Sequence, residues 1–288
     1  MSPTERNQGP DNLSRKQRRE EAREQRRAAE AAEASSAARR RRLTQLGGIA
    51  AVVVVIIVVI VVATGSKSSA PGETAKPLTA HTENVARKEV LSLLAGVPQK
   101  GDVLGKPNAP VTIQYFGDLE CPICQEFTLD ALPGIIANDV RSGKLKIEYK
   151  SFATATGTAE SEGAEPSGTF TNQQVAAGAA GKQNLGWYYI ELFYHEQGKE
   201  DSGYVTESFI QNLAKQVPGL DLTQWSADRS DKALEDEVLE GEKAASKNGF
   251  TGTPSFLIGK TGGAMNKLEP STLTESSGFE PFIEKYAS

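Results

Sequence analysis

The sequence contains very little sulfur, and the few sulfur atoms limit how the chain can be stabilised. Its 288 residues include two cysteines, Cys121 and Cys124, which are separated by two residues. A framework of several disulfides, typical of small secreted domains, is therefore excluded. A disulfide between the two cysteines would close so small a loop that it would remove little entropy from the unfolded chain. The fold must instead rely on a hydrophobic core.

Metal ligands are equally scarce. A zinc site needs about four ligands, and beyond the cysteine pair the chain has only two histidines, His81 and His195, neither spaced like a ligand. We therefore expect no metal and no cofactor. Three interpretations of the pair are open at this stage: a structural disulfide, half of a metal site, or a pair that opens and closes during a reaction.

Positive charge is concentrated at the N-terminus. Residues 1–46 hold 12 basic and 7 acidic residues, a net charge of +5, so the total of −5 leaves −10 for residues 47–288. The basic residues are interleaved with acids, and the segment has no aromatic side chain to stack on a base. We expect a largely disordered cytoplasmic tail and no nucleic-acid partner.

Long apolar runs are absent except for one, at residues 47–63 (GGIAAVVVVIIVVIVVA). At 1.5 Å per residue a helix of this length reaches roughly 25 Å, at the short end of a bilayer span. Arg39 to Arg42 precede it, whereas only Lys67 follows closely. The positive-inside rule then places the N-terminus in the cytoplasm and the following domain outside. We predict a transmembrane helix at 47–64 and a single-pass plasma-membrane protein.

A cleaved signal peptide is the alternative, because Val61-Val62-Ala63 resembles a cleavage site. The polar leader of 46 residues is much longer than an ordinary signal peptide allows, which favours an uncleaved anchor. Residues 65–81 are small and polar, with proline and glycine, and predict a flexible linker.

The remainder, residues 82–288, has the pattern of one α/β domain. The first two strands flank a helix, which predicts a parallel pair, and a hairpin near the C-terminus predicts an antiparallel pair. We expect a mixed sheet of four to five strands with a helical insertion, its aromatics in the core. The predicted elements are a helix at 82–95, loop at 99–110, strand at 111–116, helix at 121–139 broken near Pro133, strand at 144–153, loop at 154–172, helices within 173–249, strand at 250–259, hairpin at 259–270 and a closing helix.

The cysteine pair lies at the start of the second of these helices, in GDLECPICQEF. Cys121 precedes the helix, where unpaired N–H groups and the positive end of the dipole stabilise a thiolate. Pro122 suits the first helical position. Cys124, one turn further, is better shielded. This arrangement predicts Cys121 as the nucleophile and Cys124 as the thiol that resolves a mixed disulfide.

A second motif, Gly252-Thr253-Pro254, precedes an apolar strand. A cis bond before Pro254 would place the backbone of Thr253 beside the sulfurs, where it can pair with an extended substrate.

Together the two motifs resemble the thioredoxin-fold DsbA family. The likeness rests on GDLECPICQEF after the strand VTIQYF, a helical insertion, and GTPSFLIG after it, and it covers about residues 82–288. It is strongest toward the membrane-anchored members of Gram-positive, especially actinobacterial, envelopes. The resemblance implies a thioredoxin-like sheet, Cys121 and Cys124 as catalytic residues, and Thr253 with a cis Pro254 as the substrate-side wall.

The chain departs from the strongly oxidising members of that family, which have histidine between the cysteines. Here Pro122 and Ile123 occupy those positions, and isoleucine offers no charge to a thiolate. Such thiols have pKa values from about 3.5 in DsbA to about 7 in thioredoxin, and we expect Cys121 near the upper end. Glu120, if its carboxylate points inward, would disfavour the thiolate further. Glu120, Pro122 and Ile123 are therefore predicted to tune the redox chemistry.

The resemblance predicts an extracytoplasmic thiol–disulfide oxidoreductase that acts on secreted or envelope protein thiols and exchanges electrons with a membrane redox partner. An oxidase or isomerase direction is slightly favoured, because the outside compartment supplies no reductant by default. Threonine before the proline is also found in isomerase and reductase branches, so a thiol reductase is one alternative. A non-catalytic binding module with a static disulfide is the other.

Overall fold

The structure, a computed structural model, describes residues 80–288, with side chains from residue 85 onward. The predicted tail (1–46), membrane helix (47–64) and nearly all of the predicted linker (65–81) lie outside the described residues. Within residues 80–288 no helix is both long and apolar enough to cross a membrane.

A six-stranded mixed sheet forms the centre of the domain, in the order β1-β2-β4-β3-β5-β6. Strands β3 and β4 are parallel, whereas all other neighbouring pairs are antiparallel. The predicted mixed sheet is confirmed, but its predicted number of four to five strands is wrong. The strands are β1 (Gln99–Lys100), β2 (Val103–Leu104), β3 (Val111–Gly117), β4 (Leu145–Ser151), β5 (Ser255–Lys260) and β6 (Asn266–Leu268).

The difference comes from β1 and β2, which lie where a loop at 99–110 was predicted. Each has two residues, too few to show an alternating pattern. Gly101, with φ of 60°, makes the turn between them, and β2 then pairs with β4 at Leu104 and Ile147. Residues 99–104 are extended because β2 pairs with β4, not because of their local sequence.

Strand β3 lies in the middle of the sheet and is buried on both faces, which explains its continuous apolar sequence. Ile113 pairs with Ile147 of β4 on one side and with Ile258 of β5 on the other. Strand β4 alternates buried and half-buried residues, as predicted. The carboxyl end of β3 leads directly into the cysteine motif.

The helix after β3 is broken near Pro133, as predicted. It divides into α2 (Pro122–Asp130), α3 (Leu132–Ile135) and a π-helical turn (Ile136–Val140). Proline lacks the N–H that a continuous helix would need there. The break separates the turn that carries the cysteines from the part that leads to β4.

The insertion between β4 and β5 consists entirely of helices and the loops that join them. It begins earlier than the predicted 173, because residues 155–162 form a helix where a loop was expected. This segment (ATGTAESE) has no apolar stripe, so its sequence shows no helical periodicity. Gly163 ends the helix in a left-handed conformation with φ of 77°. The remaining helices of the domain are α1 (Ala80–Leu94), α4 (Ala155–Glu162), α5 (Thr169–Lys182), α6 (Gly186–His195), α7 (Glu207–Gln216), α8 (Leu222–Asp228), α9 (Lys232–Lys247) and α10 (Glu280–Ala287).

Helix α6 is the buried centre of the insertion. Trp187, Tyr189, Phe193 and Tyr194 are all fully buried, which confirms the prediction that its aromatics belong to the core. The indole N–H of Trp187 donates to the backbone oxygen of Asp102 at 2.9 Å. This bond ties the insertion to the turn between β1 and β2 and so to the edge of the sheet.

Candidate functional site

The cysteine pair begins α2 at the carboxyl end of β3. Cys121 is the N-cap residue, with φ of −71° and ψ of 120°, and Pro122 takes the first helical position. Both cysteines are free thiols. Cys121 is 6% exposed and Cys124 is completely buried. Of the two residues, Cys121 alone retains some exposed surface, and Cys124 has none.

Hydrogen bonds give the two thiols different acidities. The pKa of Cys121 is lowered to about 7, chiefly because its thiolate accepts a hydrogen bond from the thiol of Cys124. The Thr253 side chain and the backbone N–H groups of Cys124 and Ile123 lower it further, against the effect of burial. This value agrees with the expected upper end of the range for such thiols. Burial raises the pKa of Cys124 well above that of a free thiol, and its bond to Cys121 adds to the rise.

The Thr253–Pro254 segment packs against Cys121. The peptide bond between the two residues is cis. The Cys121 thiol donates to the backbone oxygen of Thr253, with Sγ and O 3.4 Å apart. The fold thus brings together the two sequence motifs, 132 residues apart, although the substrate-binding role of Thr253 and Pro254 stays a prediction.

Asp118 organises the loop around the site, a role that sequence analysis did not predict. Its side chain is fully buried and accepts hydrogen bonds from the backbone N–H groups of Glu120, Thr154 and Thr156 and from the Thr156 hydroxyl. Thr154 in turn shares a hydrogen bond with Thr253. One carboxylate therefore connects the cysteine loop with the start of α4 and, through Thr154, with the Thr253 segment.

Glu120 points inward, as the sequence left open. It is 2% exposed, and its carboxylate accepts a hydrogen bond from Gln173 at 3.4 Å. Burial raises its pKa to about 8, and the charges of Glu165 and Asp118 contribute to the rise. The groups that most strongly shift the pKa of Cys121 do not include this carboxylate. Its predicted tuning role, like that of Pro122 and Ile123, stays a prediction.

Two tyrosines pack behind the buried thiol and were predicted only as ordinary core residues. The hydroxyl of Tyr115 on β3 donates to that of Tyr194 on α6 at 3.0 Å, and Tyr194 donates to the backbone oxygen of Asp118 at 3.1 Å. Cys124 contacts Tyr115 through a hydrogen bond. Gln197 donates to the backbone oxygens of Leu119 and Cys121. Side chains of the insertion thus hold the backbone of the cysteine loop in place through hydrogen bonds.

An open cleft of about 830 Å³ adjoins Cys121, and we call it the Cys121 cleft. Ile123 lines it with 41% of its surface exposed. A second hollow of about 490 Å³ lies beside Thr253 and Pro254 and is lined also by residues of β5 and β6. The lining of the Cys121 cleft consists of Cys121, Pro122, Ile123, Phe152 to Ala155, Gly157, Thr158, Ser161, Glu200, Asp201 and Thr251 to Thr253.

The described domain holds no cluster of three or more histidine, cysteine, aspartate or glutamate side chains arranged for a metal ion. His195 lies at the end of α6, 3.6 Å from Glu89, far from any ligand set.

Comparison with known families and curated proteins agrees with this site. The family model described as thioredoxin matches residues 99–273. The chain is 26% identical over 159 residues to the "Probable disulfide bond formation protein D" of Bacillus anthracis, covering 54% of this chain and 68% of that protein. It is 23% identical over 163 residues to the "Disulfide bond formation protein D" of Bacillus subtilis, covering 54% and 66%.

Solved structures show the same fold. Oxidised BdbD of Bacillus subtilis superposes with a TM-score of 0.53 and 19% identity, over 66% of this chain and 97% of that one. A variant of alpha-DsbA1 from Wolbachia pipientis gives a TM-score of 0.51 and 18% identity, over 69% and 95%. Nearly the whole of each of these proteins therefore corresponds to the described domain.

Proposed function

The chain belongs to the thioredoxin family, and from this we propose that it is a DsbA-like thiol–disulfide oxidoreductase that acts on the thiols of other proteins. The main support is the difference between its two sulfurs: Cys121 lines the cleft and has a pKa of about 7, whereas Cys124 is completely buried and has a raised pKa. A static disulfide would need no such difference. The printed names of the curated relatives support the same activity.

The reaction begins with the pair as a disulfide. A substrate thiolate attacks Sγ of Cys121, a mixed disulfide forms, and Cys124 leaves as a thiolate that takes up a proton. Attack falls on Cys121 because only this sulfur faces the cleft. The backbone and hydroxyl of Thr253 border the same sulfur.

A second substrate thiolate then attacks the substrate sulfur of the mixed disulfide, and Cys121 leaves as a thiolate. Its lowered pKa makes it a good leaving group at neutral pH. The substrate has lost two electrons and two protons and gained a disulfide, and the pair has become two thiols. The reverse sequence, with Cys121 attacking and Cys124 resolving, reduces a substrate disulfide.

We favour the oxidase or isomerase direction, outside the cytoplasm. This choice rests on the apolar run 47–63 and the basic residues before it, which predict a membrane tether with the domain outside, where disulfides persist. An oxidase then requires a membrane redox partner that takes the two electrons. A pKa of about 7 resembles thioredoxin more than strongly oxidising enzymes, which makes the chain a moderate oxidant and keeps the reductase as the second candidate.

The test is the redox state of the pair in cells, measured by acid quenching and alkylation with a mass tag. The oxidase predicts mostly disulfide in the wild type. In Cys124→Ser, the mixed disulfide that Cys121 forms by attacking a substrate disulfide cannot be resolved and should accumulate, which tests the resolving role of Cys124 for either direction. A mostly dithiol pair excludes the oxidase and supports the reductase or isomerase.

The non-catalytic alternative gives a different result. A static disulfide would resist a mild reductant such as glutathione, and Cys121→Ser would leave every function of the chain intact. Rapid, reversible reduction of the purified domain, with loss of disulfide exchange in Cys121→Ser, excludes it.

A further inference from the structure

The charged side chains among the described residues that line the Cys121 cleft are both acidic. Glu200 and Asp201 are exposed in the loop that follows α6, and the other lining residues are apolar or carry hydroxyl groups. Lys199 is adjacent in sequence but does not line the cleft. Within residues 85–288 neither carboxylate forms an ion pair with a lysine or arginine of the domain, so both charges are available to a ligand.

Two more carboxyl groups, Glu165 and Glu120, are buried nearby. Glu165 is 4% exposed and Glu120 is 2% exposed. Burial raises the pKa of Glu165 and of Glu200, and the charge of Asp201 raises both further. Glu165 in turn raises the pKa of Glu120. Glu200 and Asp201 repel one another, so a cation that enters the cleft lowers their electrostatic energy.

The carboxylates of Glu200 and Asp201 lie in the same cleft as the reacting sulfur. The two carboxylates and Sγ of Cys121 face the same cleft, with Ile123 as an exposed apolar surface beside the sulfur. A polypeptide whose cysteine meets Cys121 must therefore place its flanking side chains near Ile123, the hydroxyl groups or the carboxylates. Long basic side chains suit this surface, because their stems pack on apolar groups while the charged end reaches a carboxylate.

We propose that Glu200 and Asp201 select substrate polypeptides that carry a lysine or arginine within a few residues of the reacting cysteine. This inference rests on the proposed function and names its substrate class. The domain and its membrane-proximal segment, residues 47–288, have a net charge of −10, which steers the same substrates toward the protein from a distance.

The test compares two short dithiol peptides that differ only in the residues beside the cysteines, lysine in one and glutamate in the other. The oxidised protein is mixed with each, and the second-order rate of exchange is measured at ionic strengths of about 0.01 M and about 1 M. The lysine peptide should react about five- to tenfold faster at low ionic strength, and the ratio should approach one at high ionic strength.

The variant Glu200→Gln/Asp201→Asn removes both charges with little change of shape. Asp201 has φ of 60°, a conformation that asparagine adopts as readily as aspartate. The ratio between the two peptides should fall toward one. The matched control, Glu235→Gln/Asp236→Asn on α9, removes two exposed charges that do not line the cleft and should keep the wild-type ratio. Circular dichroism establishes that each variant is folded.

A second variant covers the case in which the double variant does not fold. Glu200→Lys should reverse the preference in favour of the glutamate peptide. Equal rates for the two peptides with the wild type at low ionic strength overturn the inference and leave the proposed function intact. A wild type that oxidises neither peptide overturns both. A ratio lost equally in the α9 control assigns the preference to net charge and overturns the role of Glu200 and Asp201.

Discussion

The Oγ1 atoms of Thr154 and Thr253 lie 2.6 Å apart, although the two residues are 99 positions apart in the sequence. Thr154 is held by Asp118, and Thr253 contacts Cys121, so this hydrogen bond connects the cysteine loop to the segment that faces it. Thr253 is also one of the groups that lower the pKa of Cys121.

Replacing Thr253 with valine should raise the pKa of Cys121 above about 7. The side chain keeps its shape but loses the hydroxyl that stabilises the thiolate. A hydrogen bond to a charged group contributes about 1.5 kcal/mol, so its loss should raise the pKa of Cys121 by about 1. Alkylation of Cys121 at pH 7 should then slow about fivefold, which a pH series of alkylation rates measures. Thr158→Val, in the same cleft, is the control; an unchanged profile in Thr253→Val contradicts the assignment.

Replacing Asp118 with asparagine should destabilise the domain by about 2–4 kcal/mol. The carboxylate accepts from three backbone N–H groups and one hydroxyl, two at each oxygen. In asparagine an NH2 group replaces one oxygen, so two of these donors lose their acceptor. Urea unfolding measures the change. Asp130→Asn, exposed at the end of α2, should alter stability by less than about 0.5 kcal/mol. Equal stabilities of the two variants would show that Asp118 does not hold the loop.

Glu120 should make the domain less stable as pH rises. Its pKa is about 8 in the fold and 4.5 in the unfolded chain, so between these values the folded state binds more protons and loses stability with increasing pH. Glu120→Gln removes the ionisable group and with it this pH-dependent loss of stability. The variant should therefore gain stability relative to wild type progressively from pH 4.5 to pH 8.

Urea unfolding of both proteins across this pH range tests the sign. Glu126→Gln, an exposed residue of α2, is the matched control and should show no such trend relative to wild type. If the difference in unfolding free energy between Glu120→Gln and wild type stays constant or narrows as pH rises, Glu120 does not titrate as its burial implies.

Replacing Gly117 with alanine should disturb the tyrosine rings that pack behind Cys124. A Cβ there would lie 2.8 Å from Cε2 of Tyr149 and 3.0 Å from Cζ of Tyr115. Both rings are fixed in the core, so we expect a loss of about 1–3 kcal/mol and slower exchange, because Tyr115 contacts Cys124. Gly252→Ala, whose Cβ meets nothing within 4 Å, is the control for stability. Equal unfolding midpoints for the two variants would contradict this expectation.

The elements that the sequence predicted correctly are those with a local pattern. Strand β3 has a continuous apolar run, and α9 has acids near its start and Asn248-Gly249 at its end. Strands β1 and β2, of two residues each, exist because β4 offers an edge to pair with. Helix α4 has no apolar stripe and is fixed by tertiary contacts such as the bonds of Thr156 to Asp118.

The same distinction applies to the site. Cys121 and Cys124 can be recognised because only two residues separate them, and Thr253-Pro254 because proline restricts the backbone. Asp118 binds residues 36 and 38 positions away, and its backbone oxygen binds Tyr194, 76 positions away. Nothing in the local sequence distinguishes these residues from an ordinary turn aspartate or core tyrosine.

The complete burial of Cys124 behind Cys121 has a practical consequence for studying partners. The chain has no other thiol, so every covalent adduct that it forms by disulfide exchange passes through one sulfur. Each captured protein is therefore attached at Cys121, with one partner per chain. Proteins trapped by Cys124→Ser and identified by mass spectrometry will thus report directly on the cysteine that entered the cleft.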